Sequence, residues 1–290
     1  MKLLRHGPKG QERPGILDIQ GRVRDLGALL GDITPATLSP ASLAALRGLD
    51  LNALPIVNEA EVGTLAVPWA GMGKFIAIGL NYADHAAEAG MAIPKEPIVF
   101  SKTVECAVGC NHAVVLPQGS VKSDWEVELG IVIGSTARYV AEADALAHVA
   151  GYVCVNDVSE REYQLERGSQ WDKGKGCDTF GPVGPWLVTA DEVGDPQNLA
   201  MWLEVNGHRY QNGNTKTMIF GAAVLISYLS RFMTLRPGDL ITTGTPPGVG
   251  IGVKPSPVFL KPGDVMRLGI EKLGEQRQTV HAWDPALIDG

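Results

Sequence analysis

Apolar residues in this chain come in short bursts rather than long periodic stretches. From about Lys74 onward, runs at 75–79, 98–100, 113–116, 127–133, 150–155, 201–205, 240–243 and 265–270 are separated by Gly and Pro. Their length, β-branched content and turn-residue borders predict strands. Helical spacing is rarer and is clearest at 82–90, 142–148, 159–167 and 221–232. Strands therefore dominate without the βαβ alternation of a doubly wound sheet. The fold class predicted is mixed, β-rich α+β: a β-barrel or β-roll with peripheral helices. Before residue 65 the texture differs. Strand-like pieces lie near Leu3 and at 15–18, the Gln20-Gly21 turn predicts a small hairpin, and Ser39 followed by Pro40 marks a helix start. Residues 1–68 read as a small N-terminal accessory domain, and 69–290 as the domain that carries the chemistry.

Composition narrows the function classes. The chain has 290 residues, 45% of them hydrophobic and 20% charged, with a net charge of -7 and no Lys/Arg cluster, so the electrostatic footprint of a nucleic-acid binder is missing. No apolar run reaches the ~20 residues of a membrane span, and the basic start lacks a signal-like apolar stretch. No membrane partner and a cytoplasmic location follow as expectations. Cys106, Cys110, Cys154 and Cys177 lack the paired spacing of a zinc site and read as reduced structural thiols. Gly71-Met72-Gly73-Lys74 and the glycine-rich stretch 244–252 lack the context of phosphate-binding loops, and the latter reads as a tight surface turn.

Chemistry concentrates in a few segments. In Asp124-Trp125-Glu126-Val127-Glu128-Leu129 the two glutamates share one strand face, roughly 7 Å apart at Cα. Such a pair is either a solvated face or two oxygen ligands for a hard divalent cation. Asp157 closes the apolar run 150–155 and is either a third ligand or, with Ser159, a cap for the helix that follows. His85 and Glu88 stand three apart on a predicted helix. That spacing suits a surface pair, or a general base oriented by a carboxylate. Arg161, Gln164 and Lys175 follow Asp157 closely and are either solvated or placed to bind carboxylate and enolate oxygens.

Taken in order, 79–85 (Gly-Leu-Asn-Tyr-Ala-Asp-His), 125–130 (Trp-Glu-Val-Glu-Leu-Gly), 156–159 (Asn-Asp-Val-Ser) with Arg161 and Gln164, then Lys175, 180–182, 205–207 and 238–246 resemble the fumarylacetoacetate hydrolase family from about Lys74 to Val280. The resemblance implies that Glu126, Glu128 and Asp157 bind Mg²⁺, Mn²⁺ or Ca²⁺, that His85 and Glu88 activate water from a lid helix, and that Lys175 stabilises an oxyanion. Tyr82, Gln164, Thr245 and, in some members, Arg161 correspond to substrate contacts. The implied reaction is hydrolysis of a carbon–carbon bond in a small anionic 2,4-dioxo acid, the metal acting as a Lewis acid. Within the family, 178–182, 195–199 and the start 1–5 look most like bacterial enzymes that cleave 2,4-diketo-3-deoxy-L-rhamnonate or L-fuconate to pyruvate and lactate. Acylpyruvate hydrolysis and oxaloacetate decarboxylation are the alternatives at such a metal, and a catalytically silent metal-binding protein is the non-enzymatic one. A homodimer is implied by resemblance alone.

Overall fold

The computed structural model describes residues 1–88 and 90–289 and pairs its strands into three sheets. In chain order the strands are β1 (Lys2–His6), β2 (Arg13–Leu17), β3 (Val23–Asp25), β4 (Phe75–Gly79), β5 (Ile98–Lys102), β6 (Ala107–Gly109), β7 (Val114–Val115), β8 (Ser123–Asp124), β9 (Val127–Ile133), β10 (Val149–Asn156), β11 (Ser159–Glu160), β12 (Gly181–Thr189), β13 (Ala200–Val205), β14 (His208–Asn214), β15 (Leu240–Thr242), β16 (Val265–Ile270) and β17 (Gly274–His281). The largest sheet runs β3-β2-β1-β12-β10-β9-β15-β4-β5, with β6 beside β12; a second runs β14-β13-β16-β17-β7; β11 and β8 form a short ribbon. The fold is mixed α+β and sheet-rich with peripheral helices. The strand orders are open paths, so the predicted barrel is not formed: among the described residues β3 and β5 end the largest sheet and do not pair with each other.

The centre of that sheet separates two cores. Along β9 and β10, Leu129, Ile131, Tyr152 and Cys154 pack with β13 and β16, whereas Val132, Val153 and Val155 pack on the opposite side. Period-two alternation in fully buried strands explains why both faces are apolar and why these runs look continuous in sequence. The second core is shared with Leu3, Ile16, Leu26, Ile33 and Leu38, and β1 pairs directly with β12. Residues 1–68, read from sequence as an accessory domain, thus extend the main sheet and fill one of its cores. The predicted hairpin is β2–β3, and Ser39 caps the helix Pro40–Arg47 by accepting from the Ser42 amide.

Two kinds of strand escape the hydrophobic pattern. β12 is broken up by Gly181, Pro182, Gly184 and Pro185, yet it lies between β1 and β10, with a register irregularity between Tyr152 and Cys154 where it meets these residues. β14 and β17 are polar on both sides: one side is largely exposed, and the buried Gln211, Gln276 and Gln278 are satisfied by hydrogen bonds to neighbouring strands and loops. The helix predicted over 82–90 is Ala83–Glu88, with Ala89 outside the described residues. That predicted over 159–167 is shortened to Arg161–Leu165, because Ser159 and Glu160 pair with β8. Glu160, rather than Asp157 or Ser159, caps it by accepting from the Tyr163 amide at 2.6 Å. No described helix is long and apolar enough to cross a membrane.

Candidate metal centre and active site

Strand register brings the three acidic residues together. Glu128 sits in β9 opposite Val155 of β10, and Asp157 follows β10 directly, its amide donating to the Glu126 carbonyl at 2.9 Å. The sequence reading of a continuous strand from Asp124 is corrected here. The chain leaves regular pairing at Trp125 and Glu126, between β8 and β9, because Asp124 pairs with β11 instead. The convergence of the glutamates survives that break: one carboxylate oxygen from each of Glu126, Glu128 and Asp157 lies within 4.8 Å of the others, and all three residues are buried.

Burying carboxylates this close is costly unless positive charge compensates. Lys175 Nζ lies 2.5 Å from Glu126 Oε2 and 2.7 Å from Asp157 Oδ2. Arg161 bridges Glu126 (2.7 Å) and the buried Asp124 (2.8 Å). Burial pushes the Glu126 carboxyl up, but Lys175 and Arg161 outweigh it and hold the group at about 2. Burial also opposes the charge on Lys175, yet Asp157 and Glu126 raise its pKa above the ordinary lysine value. Among the described residues Glu128 has no ion-pair partner. Its Oε2 accepts only neutral donors, Thr242 Oγ1 at 2.5 Å and the Gly244 amide at 2.8 Å. Burial first, then the Asp157 and Glu126 charges, drive its carboxyl well above the usual range. Four buried carboxylates thus face three buried cations, the third being Lys102. Lys102 Nζ lies 2.7 Å from Asp157 Oδ1 and also donates to the carbonyls of Val158 and Lys175. Three converging buried carboxylates, one of them without an ion-pair partner, offer the hard oxygen donors that fit a divalent cation such as Mg²⁺ or Mn²⁺.

Close backbone packing aims Lys175. It ends the short helix Asp172–Lys175, in which a Cβ on Gly174 would fall 2.3 Å from the Glu160 carbonyl oxygen and 2.6 Å from the Gln164 amide. Only glycine allows this approach, which carries the ammonium into the carboxylate cluster.

His85 and Glu88 pair as their spacing predicts, Nδ1 lying 3.2 Å from Oε2, and they remain partly exposed. Glu88 also accepts from the Gly248 amide at 3.2 Å. The stretch 244–252 is therefore not a surface turn. It is a half-buried strap anchored on side chains from several elements, including Thr245 Oγ1 on the Val127 carbonyl at 2.9 Å. Of the expected substrate contacts, Thr245 also accepts from Gln211, Gln164 accepts from Arg161 NH1, Arg161 is engaged by its two carboxylates, and Tyr82 donates its hydroxyl to Met201 Sδ at 3.2 Å. A cavity of about 480 Å³, lined by Arg5, Glu12, His112 and Asp178 among others, contains none of the metal-centre residues.

Asp124, Lys102 and Thr242 are parts of the centre that sequence reasoning passed over. Asp124 shares strand parity with both glutamates, and that signal was readable. Lys102 and Thr242 reach the centre only through sheet order.

The family model described as fumarylacetoacetate (FAA) hydrolase C-terminal matches residues 74–281. A protein of Burkholderia lata named as a hydrolase is 64% identical over 279 residues, covering 96% of this chain and 98% of its own. The solved fumarylacetoacetate hydrolase of Exiguobacterium antarcticum superposes with a TM-score of 0.84 at 34% identity, covering 98% of this chain and all of that one. The maleylpyruvate hydrolase of Sphingobium sp. SYK-6, solved with manganese(II) and pyruvate, gives a TM-score of 0.81 at 33% identity over the same shares.

Proposed function

The chain belongs to the fumarylacetoacetate hydrolase family, and on that premise we propose that it is a metal-dependent hydrolase cleaving a carbon–carbon bond of a small 2,4-dioxo acid to release pyruvate. The observation that carries this is the buried Glu126–Glu128–Asp157 cluster, with Glu128 left without an ion-pair partner and Lys175 beside the other two. Glu126, Glu128 and Asp157 would hold the ion. Once bound, a divalent ion supplies Lewis-acid polarisation of the 2-oxo group.

The chain's own residues do the rest. Glu88 engages His85 Nδ1, leaving Nε2 to take a proton from water as its oxygen attacks the distal carbonyl. Lys175 supplies positive charge where negative charge develops on oxygen. The bond between C3 and C4 then breaks, its electron pair leaving on the pyruvate enolate. That carbon recovers a proton, and the acyl half departs as a carboxylic acid. A role for Arg161, Gln164, Thr245 and Tyr82 in orienting the anionic substrate rests on the family resemblance, and each would have to exchange an internal partner to take it.

Within this reaction class, a 2,4-diketo-3-deoxy sugar acid of the L-rhamnonate or L-fuconate type is the substrate, giving pyruvate and lactate. The basis is the resemblance of 178–182, 195–199 and 1–5 to such enzymes. Mg²⁺ or Mn²⁺ is the working ion, supported by the oxygen ligands and by the manganese of the maleylpyruvate hydrolase. The enzyme works in the cytoplasm as a homodimer. The test is pyruvate release, coupled to lactate dehydrogenase, from diketo sugar acids, acylpyruvates and oxaloacetate with Mn²⁺ present. Fastest turnover of a diketo sugar acid is expected. Turnover of acylpyruvates alone would replace the substrate, and turnover of oxaloacetate alone would replace hydrolysis by decarboxylation.

A further inference from the structure

Asp124 is fully buried and takes no part in the proposed ligand set, yet every lone-pair direction it offers is used. Its Oδ2 accepts from Arg161 Nε at 2.9 Å and from the Ile251 amide at 3.0 Å, while Oδ1 accepts from the amides of Gly250 (2.6 Å) and Trp125 (2.8 Å). Arg161 continues to Glu126 Oε1 at 2.7 Å. In the other direction the 248–252 strap continues to Glu88, through the Gly248 amide at 3.2 Å to each carboxylate oxygen. The strap is pinned between these ends. Trp125 Nε1 donates to the Gly248 carbonyl at 3.1 Å, and at Gly248, with φ of +102°, a Cβ would fall 1.9 Å from the Tyr210 carbonyl oxygen. A buried carboxylate that collects backbone amides and a guanidinium holds its neighbours more rigidly than neutral bonds would.

We propose that Asp124 is a positioning residue that ties the His85–Glu88 pair, through the 248–252 strap, to the Arg161–Glu126 side of the metal centre. The tie sets the distance at which an activated water meets the metal-held substrate. An error of about 1 Å in such a distance costs on the order of 100-fold in rate. This inference rests on the hydrolase reading, and its test separates the two.

The test is a double-mutant cycle of Asp124→Asn and Glu88→Gln on the full-length, Mn²⁺-loaded protein, using the 2,4-dioxo acid turned over fastest. Asp124→Asn should lower kcat at least tenfold, with KM and the calorimetric Mn²⁺ Kd each within about threefold of wild type. The double variant should be no worse than Glu88→Gln within about threefold, since without the Glu88 carboxylate behind His85 the tie has no activated base left to position. Multiplying losses, or a collapse of Mn²⁺ affinity, overturn the proposal and make Asp124 a local support. If Asp124→Asn does not fold, Trp125→Phe removes the Gly248 anchor and enters the same cycle. Amide exchange without substrate or metal runs beside it. The tie predicts faster exchange in the helix Ala83–Glu88 as well as at Gly250 and Ile251, although among the described residues no hydrogen bond joins Asp124 to that helix. Exchange altered only at Trp125, Gly250 and Ile251 overturns it. If Glu88→Gln alone leaves turnover unchanged, the general-base reading fails, and the exchange result still decides the tie.

Discussion

Replacing Glu128 by Gln separates metal binding from folding more cleanly than any other change at the centre. Glutamine keeps a carbonyl oxygen where Glu128 Oε2 accepts from Thr242 and Gly244, so the local hydrogen bonds survive. The substitution removes the one carboxylate that lacks a cationic partner and that burial and its acidic neighbours already disfavour as an anion. The metal-free variant should therefore melt no lower than metal-free wild type. Metal binding should suffer, because one of three charged ligands becomes neutral. A loss of about 100-fold in Kd is worth roughly 2.7 kcal/mol. At Mn²⁺ 100-fold above its Kd, the wild-type protein gains the same roughly 2.7 kcal/mol of stability. At about 2–4 °C per kcal/mol for a chain of this size, that is a Tm rise of roughly 5–10 °C. Differential scanning fluorimetry across a Mn²⁺ series should show this rise in wild type and almost none in Glu128→Gln at equal Mn²⁺. A variant that keeps the full metal-dependent rise would refute the assignment of Glu128 as a ligand, and a variant that unfolds without metal would refute the electrostatic account of its burial.

Further outcomes follow from the same geometry. His85→Ala should lower kcat for hydrolysis by about 10²–10⁴ while leaving Mn²⁺ affinity intact, as steady-state kinetics and calorimetry will report. Any decarboxylation of oxaloacetate should be spared, and unchanged hydrolysis would remove His85 from the mechanism. In chelated protein the two glutamates act in opposite directions with pH. Glu126, held at about 2 against an ordinary 4.5, contributes stability that is present above pH 4.5 and lost as pH falls toward 2. Glu128, raised above 4.5, contributes stability present below that value and lost as pH rises toward its folded pKa. Metal-free Tm should peak in mild acid, and Mn²⁺ should remove the alkaline decline. Gly174→Ala should destabilise the protein by at least about 1–3 kcal/mol in urea melts and depress activity further by displacing Lys175, because the clash is with backbone rather than with a movable side chain.

The convergence of the three buried carboxylates was legible because strand parity and strand ends are one-dimensional signals: Glu126 and Glu128 are two apart in sequence, and Asp157 ends an apolar run. The His85–Glu88 pair was legible for the same reason, three residues being one helical step. What lay beyond reach depends on sheet order. β12 runs through the heart of the main sheet, yet its Gly and Pro residues read as breakers, because the irregularity that accommodates them, four steps from Gly184 to Val188 against two from Tyr152 to Cys154, is visible only against the paired strand β10. Residues 1–68 looked separate because their chemistry is bland, but their apolar side chains complete a core begun by β9 and β10. The strap 244–252 looked like a surface turn because glycine marks both loose turns and close approaches. Only the carbonyl of Tyr210 and the side chains of Asp124 and Glu88 reveal which applies here.

Metal held by Glu126, Glu128 and Asp157 should be required for release of pyruvate from a 2,4-dioxo acid. The most direct measurement strips the purified protein with EDTA, restores Mn²⁺ in steps and follows bound metal and pyruvate release on the same samples. No release is expected from the stripped protein, and a rise proportional to occupancy should saturate at about one ion per chain. Pyruvate release that persists without metal, or full occupancy without turnover of any dioxo acid, would contradict it.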